Sequence, residues 1–357
     1  MIFCNFIQVK DHIQLTMFLY NRLGKEQLLA KLRAETFQRK TLSFYRYVEI
    51  TDPLEFRDKL YFDLEQLGCL GRIYIAHEGI NAQMNIPEPA VPEFINYLEN
   101  IPQLKNMPLK WALEEHQISF LKLKIKVRKK IVADGLNEKV FDVTNVGNHL
   151  SPLEFHELSQ QQDILVVDMR NNYESEVGRF INAICPDAGT FREEVEMVVD
   201  QLSDQKDKKI LLYCTGGVRC EKASAWLRHH GFSDVNQLDG GIIAYAAEIK
   251  KPGLPSRFIG KNFVFDERLG ERVTGDVIAS CHTCGTPCDY HDNCAWDPCH
   301  KLFIQCEDCR IKFSRCCSIE CADKFRNTIE KRKQYRSFSK CRITYPAISG
   351  QRPLNPL

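Results

Sequence analysis

The chain has 357 residues, 44% hydrophobic and 27% charged, with a formal net charge of +1. That length suggests two or three domains at roughly 150 residues each, and the balance excludes whole-chain disorder, a uniformly basic nucleic-acid coat and a strongly acidic solvating chain. No apolar run approaches the ~18 residues of a membrane helix. The opening MIFCNFIQVKDHIQ lacks a basic n-region and is broken by Lys10, Asp11 and His12, so the expected compartment is the cytoplasm, where thiols stay reduced, with no membrane partner.

Residues 1–40 read as a helical lead-in, from Leu15, Phe18, Leu19, Arg22 and Leu23 and again from Leu28, Leu29 and Leu32 at helical spacing. Residues 41–136 read as a ferredoxin-like α+β unit. LSFYRYVEI is a strand, and a helix follows it, with Thr51 or Asp52 as N-cap, Pro53 in the first turn and Gly68 at its end. RIYIAHEGINAQMNI is two strands joined at Glu78-Gly79, EPAVPEFINYLENI is a second helix, and strands are expected near Leu109–Leu113 and Ile118–Val127. The order β-α-β-β-α-β is the split βαβ arrangement.

Residues 137–150 read as a connector. From 150 to 252 strands alternate with helices, which predicts a parallel sheet covered on both faces. Ser151-Pro152-Leu153-Glu154 and Thr190-Phe191-Arg192-Glu193 are helix-start signatures, and DILVVDM and KKILLYC are buried strands. Residues 253–322 read as a Pro/Gly-punctuated linker followed by a Cys-rich module, and 323–357 as a basic tail. From Ala322 onward, nine Lys/Arg face only Asp323 and Glu330; that +7 leaves −6 on the rest.

KKILLYCTGGVRCEKAS carries the most chemical information. Cys214 falls between a strand end and a helix expected to begin near Cys220, at the sheet edge where open α/β folds place their sites. Gly216 and Gly217 let successive backbone N–H groups turn inward as an anion nest, with Thr215 and Val218 completing the loop. Arg219 and the helix dipole add positive potential, so the Cys214 pKa is expected well below the free value of ~8.5. Such a thiolate can carry a persulfide, bind an oxyanion or attack an electrophile.

DILVVDMRNNYESEVGRFINAICP, LLYCTGGVRCEKASAWL and VNQLDGGIIAY together resemble a rhodanese domain. The resemblance implies an α/β fold with a central parallel sheet, a persulfide-carrying role for Cys214, a cradle through Arg219, and supporting places for Asp168 and Arg170 in the Asp-x-Arg after the first core strand. Cys220, directly after Arg219, departs from simple rhodaneses. It reads equally as a resolving thiol and as a small helix-facing residue. FYRYVEITDP, GRIYIAHEGINAQ, KVRKKIVADG, FDVTNVG and RFIGKNFVFDERLGER widen the likeness to residues 38–325 and resemble the rhodanese-domain family of bacterial tRNA uridine(34) hydroxylases. This implies an acylphosphatase-like N-terminal domain, tRNA as substrate, molecular oxygen as co-substrate and 5-hydroxyuridine as product.

Two further features stand on their own residues. In LKLKIKVRKK, Lys122, Lys124, Lys126 and Arg128 alternate with apolar residues and share one strand face, which a phosphate backbone would neutralise. His77-Glu78-Gly79-Ile80-Asn81 puts a polar His/Glu/Asn set on a hairpin turn that could grip a base or a ribose; for His77 and Glu78 the favoured reading is turn chemistry, with Gly79 supplying φ > 0. Ten of the 16 cysteines lie between Cys281 and Cys321. The pairs Cys281/Cys284 and Cys306/Cys309 have the spacing of a zinc knuckle, and ten thiols exceed one site, which allows two zinc ions. A disulfide-bearing module and an iron–sulfur cluster stay open as alternatives.

The leading reading is an oxygen-dependent tRNA uridine hydroxylase that uses Cys214 and Arg219, with Cys214 adding to C6 of uracil or acting in an oxidised or persulfidated form. Two other readings stand beside it: a sulfurtransferase served by a sulfur donor, and a non-enzymatic, metal-stabilised RNA-binding module.

Overall fold

The computed structural model describes residues 23–114, 118–251 and 253–340. The expected lead-in over Leu15–Arg22, and Arg342 and Arg352 of the tail, lie outside these. Among the described residues no helix is long and apolar enough to cross a membrane. The chain divides after Val277 into two compact units.

In the first unit, α1 (Lys25–Arg33) precedes a split βαβ arrangement: β1 (Arg39–Tyr47), α2 (Pro53–Gln66), β2 (Leu70–Ala76), β3 (Gly79–Pro87), α3 (Val91–Glu99), β4 (Lys110–Trp111) and β5 (Leu123–Val127). Asp52 caps α2 by accepting from the N–H groups of Leu54 and Glu55. The sheet order is β4-β1-β3-β2-β5. The first four strands follow the ferredoxin order, and β5 is an added edge strand parallel to β2. Ile73, Ile75, Ala82, Met84 and Leu42 alternate onto one face and pack with Leu60, Leu64, Phe94 and Leu98. The opposite face carries Ser43, Tyr45, Arg72, Tyr74, Asn81 and Gln83, all of which border a cavity.

The alternating region forms β6 (Asn148–Leu150), α4 (Pro152–Leu158), β7 (Leu165–Asp168), α5 (Asn172–Val177), β8 (Gly178–Phe180), α6 (Phe191–Gln201), β9 (Lys209–Tyr213), α7 (Val218–His229), β10 (Asp234–Leu238) and α8 (Gly241–Lys250). Its parallel sheet runs β6-β10-β9-β7. Ser151 and Thr190 cap their helices as the sequence predicts. The connector supplies β6, an edge strand of this sheet.

The segment read as a linker contributes β11 (Phe258–Asn262) and β12 (Glu271–Arg272), which join β8 in a three-stranded sheet. Local Pro and Gly punctuation hid this, because the strand is held by tertiary contacts. Phe258 packs fully buried, 5.5 Å centroid to centroid from Phe180.

The two halves of the first unit are tied through α7. Lys222, buried, pairs at 2.6 Å with both Glu78 and Glu138. Tyr45 donates to Glu221 at 3.0 Å, and Tyr47 to the carbonyl of Val218 at 3.3 Å. Glu78, expected to do no more than turn the chain, therefore clasps α7 and also accepts from the Ile131 N–H at 2.7 Å. The second unit holds the hairpin β13 (His291–Asn293) and β14 (Leu302–Ile304), then α9 (Glu307–Lys312) and α10 (Ile319–Lys340).

Candidate active site

Cys214 follows β9, and α7 begins at Val218, two residues earlier than the sequence suggested. The turn is possible because Gly217 takes φ +101° as N-cap, a backbone that side chains other than glycine rarely adopt. Gly241, at φ +65°, lets α8 start directly beneath the loop, where a Cβ would lie 2.6 Å from the Cys214 carbonyl oxygen.

The Cys214 residue is 1% exposed. Burial alone would raise its pKa. The Cys220 thiol, the Arg219 charge and the backbone N–H groups of Arg219 and Gly217 overcome that penalty and bring it down to about 5. The Gly217 N–H donates to Sγ at 3.1 Å. Cys220 is itself fully buried, and its pKa is pushed well up by burial and by the neighbouring Cys214. It is the protonated partner that donates to the Cys214 thiolate.

Arg219 also has a second commitment. Its guanidinium makes a two-pronged pair with Glu174 at 2.6 and 2.9 Å and reaches Thr215 Oγ1 at 3.3 Å. This fixes the arginine beside the sulfur and leaves little of its donor fork for a ligand. Asp168 and Arg170 form a fully buried pair at 2.7 Å. Tyr213 Oη donates to Asp168 at 2.7 Å and Arg170 to the Gly178 carbonyl at 2.7 Å. They brace the strand ends under the loop, and neither borders the cavity.

The cavity has a volume of about 500 Å³ and is bordered by Cys214, Thr215, Gly216, Val218 and Arg219 on one side, within the size range of small-molecule sites. The other wall is the polar face of the first sheet, with Ser43, Tyr45, Arg72, Tyr74, Asn81, Gln83 and Lys110. Lys110, on edge strand β4, holds its ammonium 4.3 Å from the Tyr45 ring centroid, and burial lowers its pKa. Asp266, Arg268 and Glu271 close one end of the cavity, and Arg268 bridges Asp266 at 2.6 Å and Glu271.

Of these opposing residues only Asn81 was singled out in the sequence, in the polar set at the His77–Asn81 turn. For those on β1, β2 and β3 the only other local signal was a polar alternation, which also fits a solvated face.

Lys122, Lys124 and Arg128 are exposed and Lys126 is half-buried. Register pairs Lys124 with Arg72 and Lys126 with Tyr74. The basic row therefore continues the cavity wall outward to the sheet edge. Arg128 lies 5.7 Å from the Tyr74 ring centroid, and the Lys126 charge is the main influence lowering the Lys124 pKa.

In the second unit, the sulfurs of Cys281, Cys284, Cys306 and Cys309 lie within 4.8 Å of one another, and so do those of Cys294, Cys299, Cys317 and Cys321. The second set was not picked out from the sequence: its x4 and x3 spacings also suit zinc, but they are less distinctive than Cys-x2-Cys in a stretch holding ten cysteines.

Residues 39–131 match the UPF0176 acylphosphatase like domain, 151–248 the rhodanese-like domain and 259–322 the rhodanase C-terminal domain. Three curated proteins, each called tRNA uridine(34) hydroxylase, align over most of the chain. The one from Leptospira interrogans is 53% identical over 93% of this chain and 92% of its own length. That from Enterobacter sp. is 51% identical over 85% and 88%, and that from Escherichia fergusonii is 50% identical over 89% and 91%.

The site predicts a specific titration. Alkylation of Cys214 by iodoacetamide should rise with pH around a midpoint of about 5, because only the thiolate reacts. Cys220→Ala should move that midpoint upward by about one unit or more. Peptide mass spectrometry of the labelled protein reads both; an unmoved midpoint would remove Cys220 from the set of thiolate donors.

Proposed function

The chain belongs to the tRNA uridine(34) hydroxylase family, and we propose that it converts uridine 34 of tRNA to 5-hydroxyuridine, with molecular oxygen as co-substrate and Cys214 as the reacting group. One observation carries this reading. A sulfur held as thiolate borders a cavity whose far wall leads without interruption to a basic strand edge. A base can enter the cavity while its phosphates meet Lys122, Lys124, Lys126 and Arg128. Contacts of that kind position a nucleic acid without reading its sequence.

Attack of Cys214 Sγ on C6 of the uracil ring forms a C–S bond and moves an electron pair toward C5 and O4. The developing charge is stabilised by donors fixed beforehand; the loop N–H groups and Lys110, whose side chain lies beside Gly216 of the loop, would serve for this. C5 then takes one oxygen atom from O2. The other leaves as water, which consumes two electrons and two protons. Cys220, which is not bonded to the ring, takes the outer oxygen of the C5 hydroperoxide as a sulfenic acid. Once Sγ of Cys214 has left C6 it attacks that sulfur, so the oxygen leaves as water and a Cys214–Cys220 disulfide remains, which an added thiol reductant reduces before the next turnover. Loss of Sγ from C6 together with the C5 proton restores the ring double bond in the product. Arg219 is a positioning residue here, since its pair with Glu174 sets where its charge lies.

In the second unit, thiolates of Cys281, Cys284, Cys306 and Cys309 would hold a structural zinc ion. That ion stabilises the fold and takes no part in the steps above.

Nucleoside mass spectrometry after reaction of the purified protein with unmodified tRNA tests the reading. 5-Hydroxyuridine should form only with oxygen present. It should be absent with Cys214→Ser, and Lys110→Met should lower the rate by about 100-fold. Product from Cys214→Ser, or a thiolated uridine in place of the hydroxylated one, would contradict it.

Lys124→Ala combined with Lys126→Ala should weaken binding of all tRNAs alike. It should also reduce the slope of log K against log salt by about 1.5, at ~0.7–0.9 for each phosphate no longer neutralised. A filter-binding salt series measures that slope, and an unchanged slope would take the strand off the RNA path.

A further inference from the structure

The eight thiols of the second unit alternate in pairs along the chain. Cys281 and Cys284 belong to one set and Cys294 and Cys299 to the other; Cys306 and Cys309 return to the first, and Cys317 and Cys321 to the second. Extending the reading of the first set as a zinc site, we infer that this unit is a cross-braced module holding two zinc ions, one in each all-thiolate set, and that neither site is complete without the chain path fixed by the other.

The distances favour one ion per set. A thiolate lies ~2.3 Å from bound zinc, so four of them at tetrahedral corners are about 3.8 Å apart. The Cys284 and Cys306 sulfurs are 3.6 Å apart, those of Cys299 and Cys317 3.6 Å, and those of Cys317 and Cys321 3.7 Å. Disulfide sulfurs would be bonded at about 2.05 Å. An iron–sulfur cluster would set inorganic sulfide and several irons between the ligands and spread them beyond a single-ion edge.

The backbone around the sulfurs also suits anionic ligands. Cys306 is the N-cap of α9, and Cys317 and Cys321 flank the start of the 22-residue α10, whose N-terminus favours negative charge. Cys281, Cys294, Cys309 and Cys321 are buried. Four thiolates gathered there without a cation would repel one another strongly.

The two remaining cysteines define the sets by contrast. Cys288 accepts from the Tyr290 N–H at 3.5 Å. Cys316 donates its S–H to the Ser314 carbonyl at 3.7 Å and packs with Phe303 and Ala322. Neither sulfur belongs to either four-sulfur set.

The interleaving has a mechanical consequence. Residues 294–309, which include the hairpin turn and β14 and leave β13 outside, lie inside the loop closed by the first ion and also inside the loop closed by the second. Loss of either ion frees a segment that carries ligands of the other.

Metal analysis and native mass spectrometry of the full chain, purified without chelator, test this. The expected result is two zinc ions per chain, and Cys288→Ser should keep both. During stepwise chelation the two-zinc and zero-zinc species should dominate, with a one-zinc species below the statistical share. Cys299→Ser combined with Cys317→Ser should release both ions and expose this unit to trypsin.

One ion per chain that survives Cys299→Ser/Cys317→Ser and is lost in Cys284→Ser/Cys306→Ser would overturn the second site and leave the first. Two ions that leave independently would overturn the cross-brace. No metal with oxidised cysteines, or iron in place of zinc, would overturn both sites. The hydroxylase reading is unaffected by any of these outcomes, since the metal count needs no turnover; the chelation series also stands if a variant fails to fold.

Discussion

An ionised sulfur inside a protein has lost its water, and the loss must be made good locally. At Cys214 the compensation comes from the Gly217 N–H at 3.1 Å, the Arg219 backbone and charge, and the Cys220 thiol. Each follows from a feature of the loop. Gly217 in a left-handed conformation aims its N–H inward, α7 begins at once and directs its dipole toward the sulfur, and Glu174 holds Arg219 in place. Without this set the thiol would be protonated and inert, because burial in apolar surroundings raises a thiol's pKa.

The thiolate is half of a site. The other half is brought by a separate sheet, and the two are clamped together by Lys222 with Glu78 and Glu138 and by Tyr45 with Glu221. These contacts all fall on α7, the helix that starts at the Cys214 loop. Tyr45 has a second role, since its hydroxyl also lies where a Cβ on Gly217 would collide, 2.8 Å away. The cavity is thus a product of docking, and its chemistry depends on how firmly the acylphosphatase-like part sits on the rhodanese part. The added edge strand β5 places a row of cations on the same face.

What could be read from the sequence was whatever is local. The loop from Cys214 to Arg219 is contiguous, so its thiol, glycines and arginine announce one another. The caps at Asp52, Ser151 and Thr190 are three-residue signals, and the alternation from Lys122 to Arg128 fixes one face of a strand. The cavity wall of Tyr45, Arg72, Gln83 and Lys110 was not legible, because it is assembled from four strands whose order is set by pairing. Residues 258–272 looked like a linker for the same reason. Gly260, Gly270 and the preceding Pro252 and Pro255 are local signals, whereas Phe258, buried against Phe180, and Glu271, which accepts from the Leu113 N–H at 3.1 Å, are placed by distant partners. The knuckles at Cys281 and Cys306 stood out by spacing, but their pairing with each other, and the set threaded between them, required the fold.

The central claim is that an ionised Cys214 begins the reaction on tRNA. The pH dependence of kcat/KM for 5-hydroxyuridine formation tests it most directly, because that ratio reports the ionisation of the free protein's reacting group. The account predicts an acid limb that rises tenfold per pH unit, bends at about 5 and stays level through neutrality. A limb that keeps rising to pH 8–9, the range of an ordinary thiol, would contradict it.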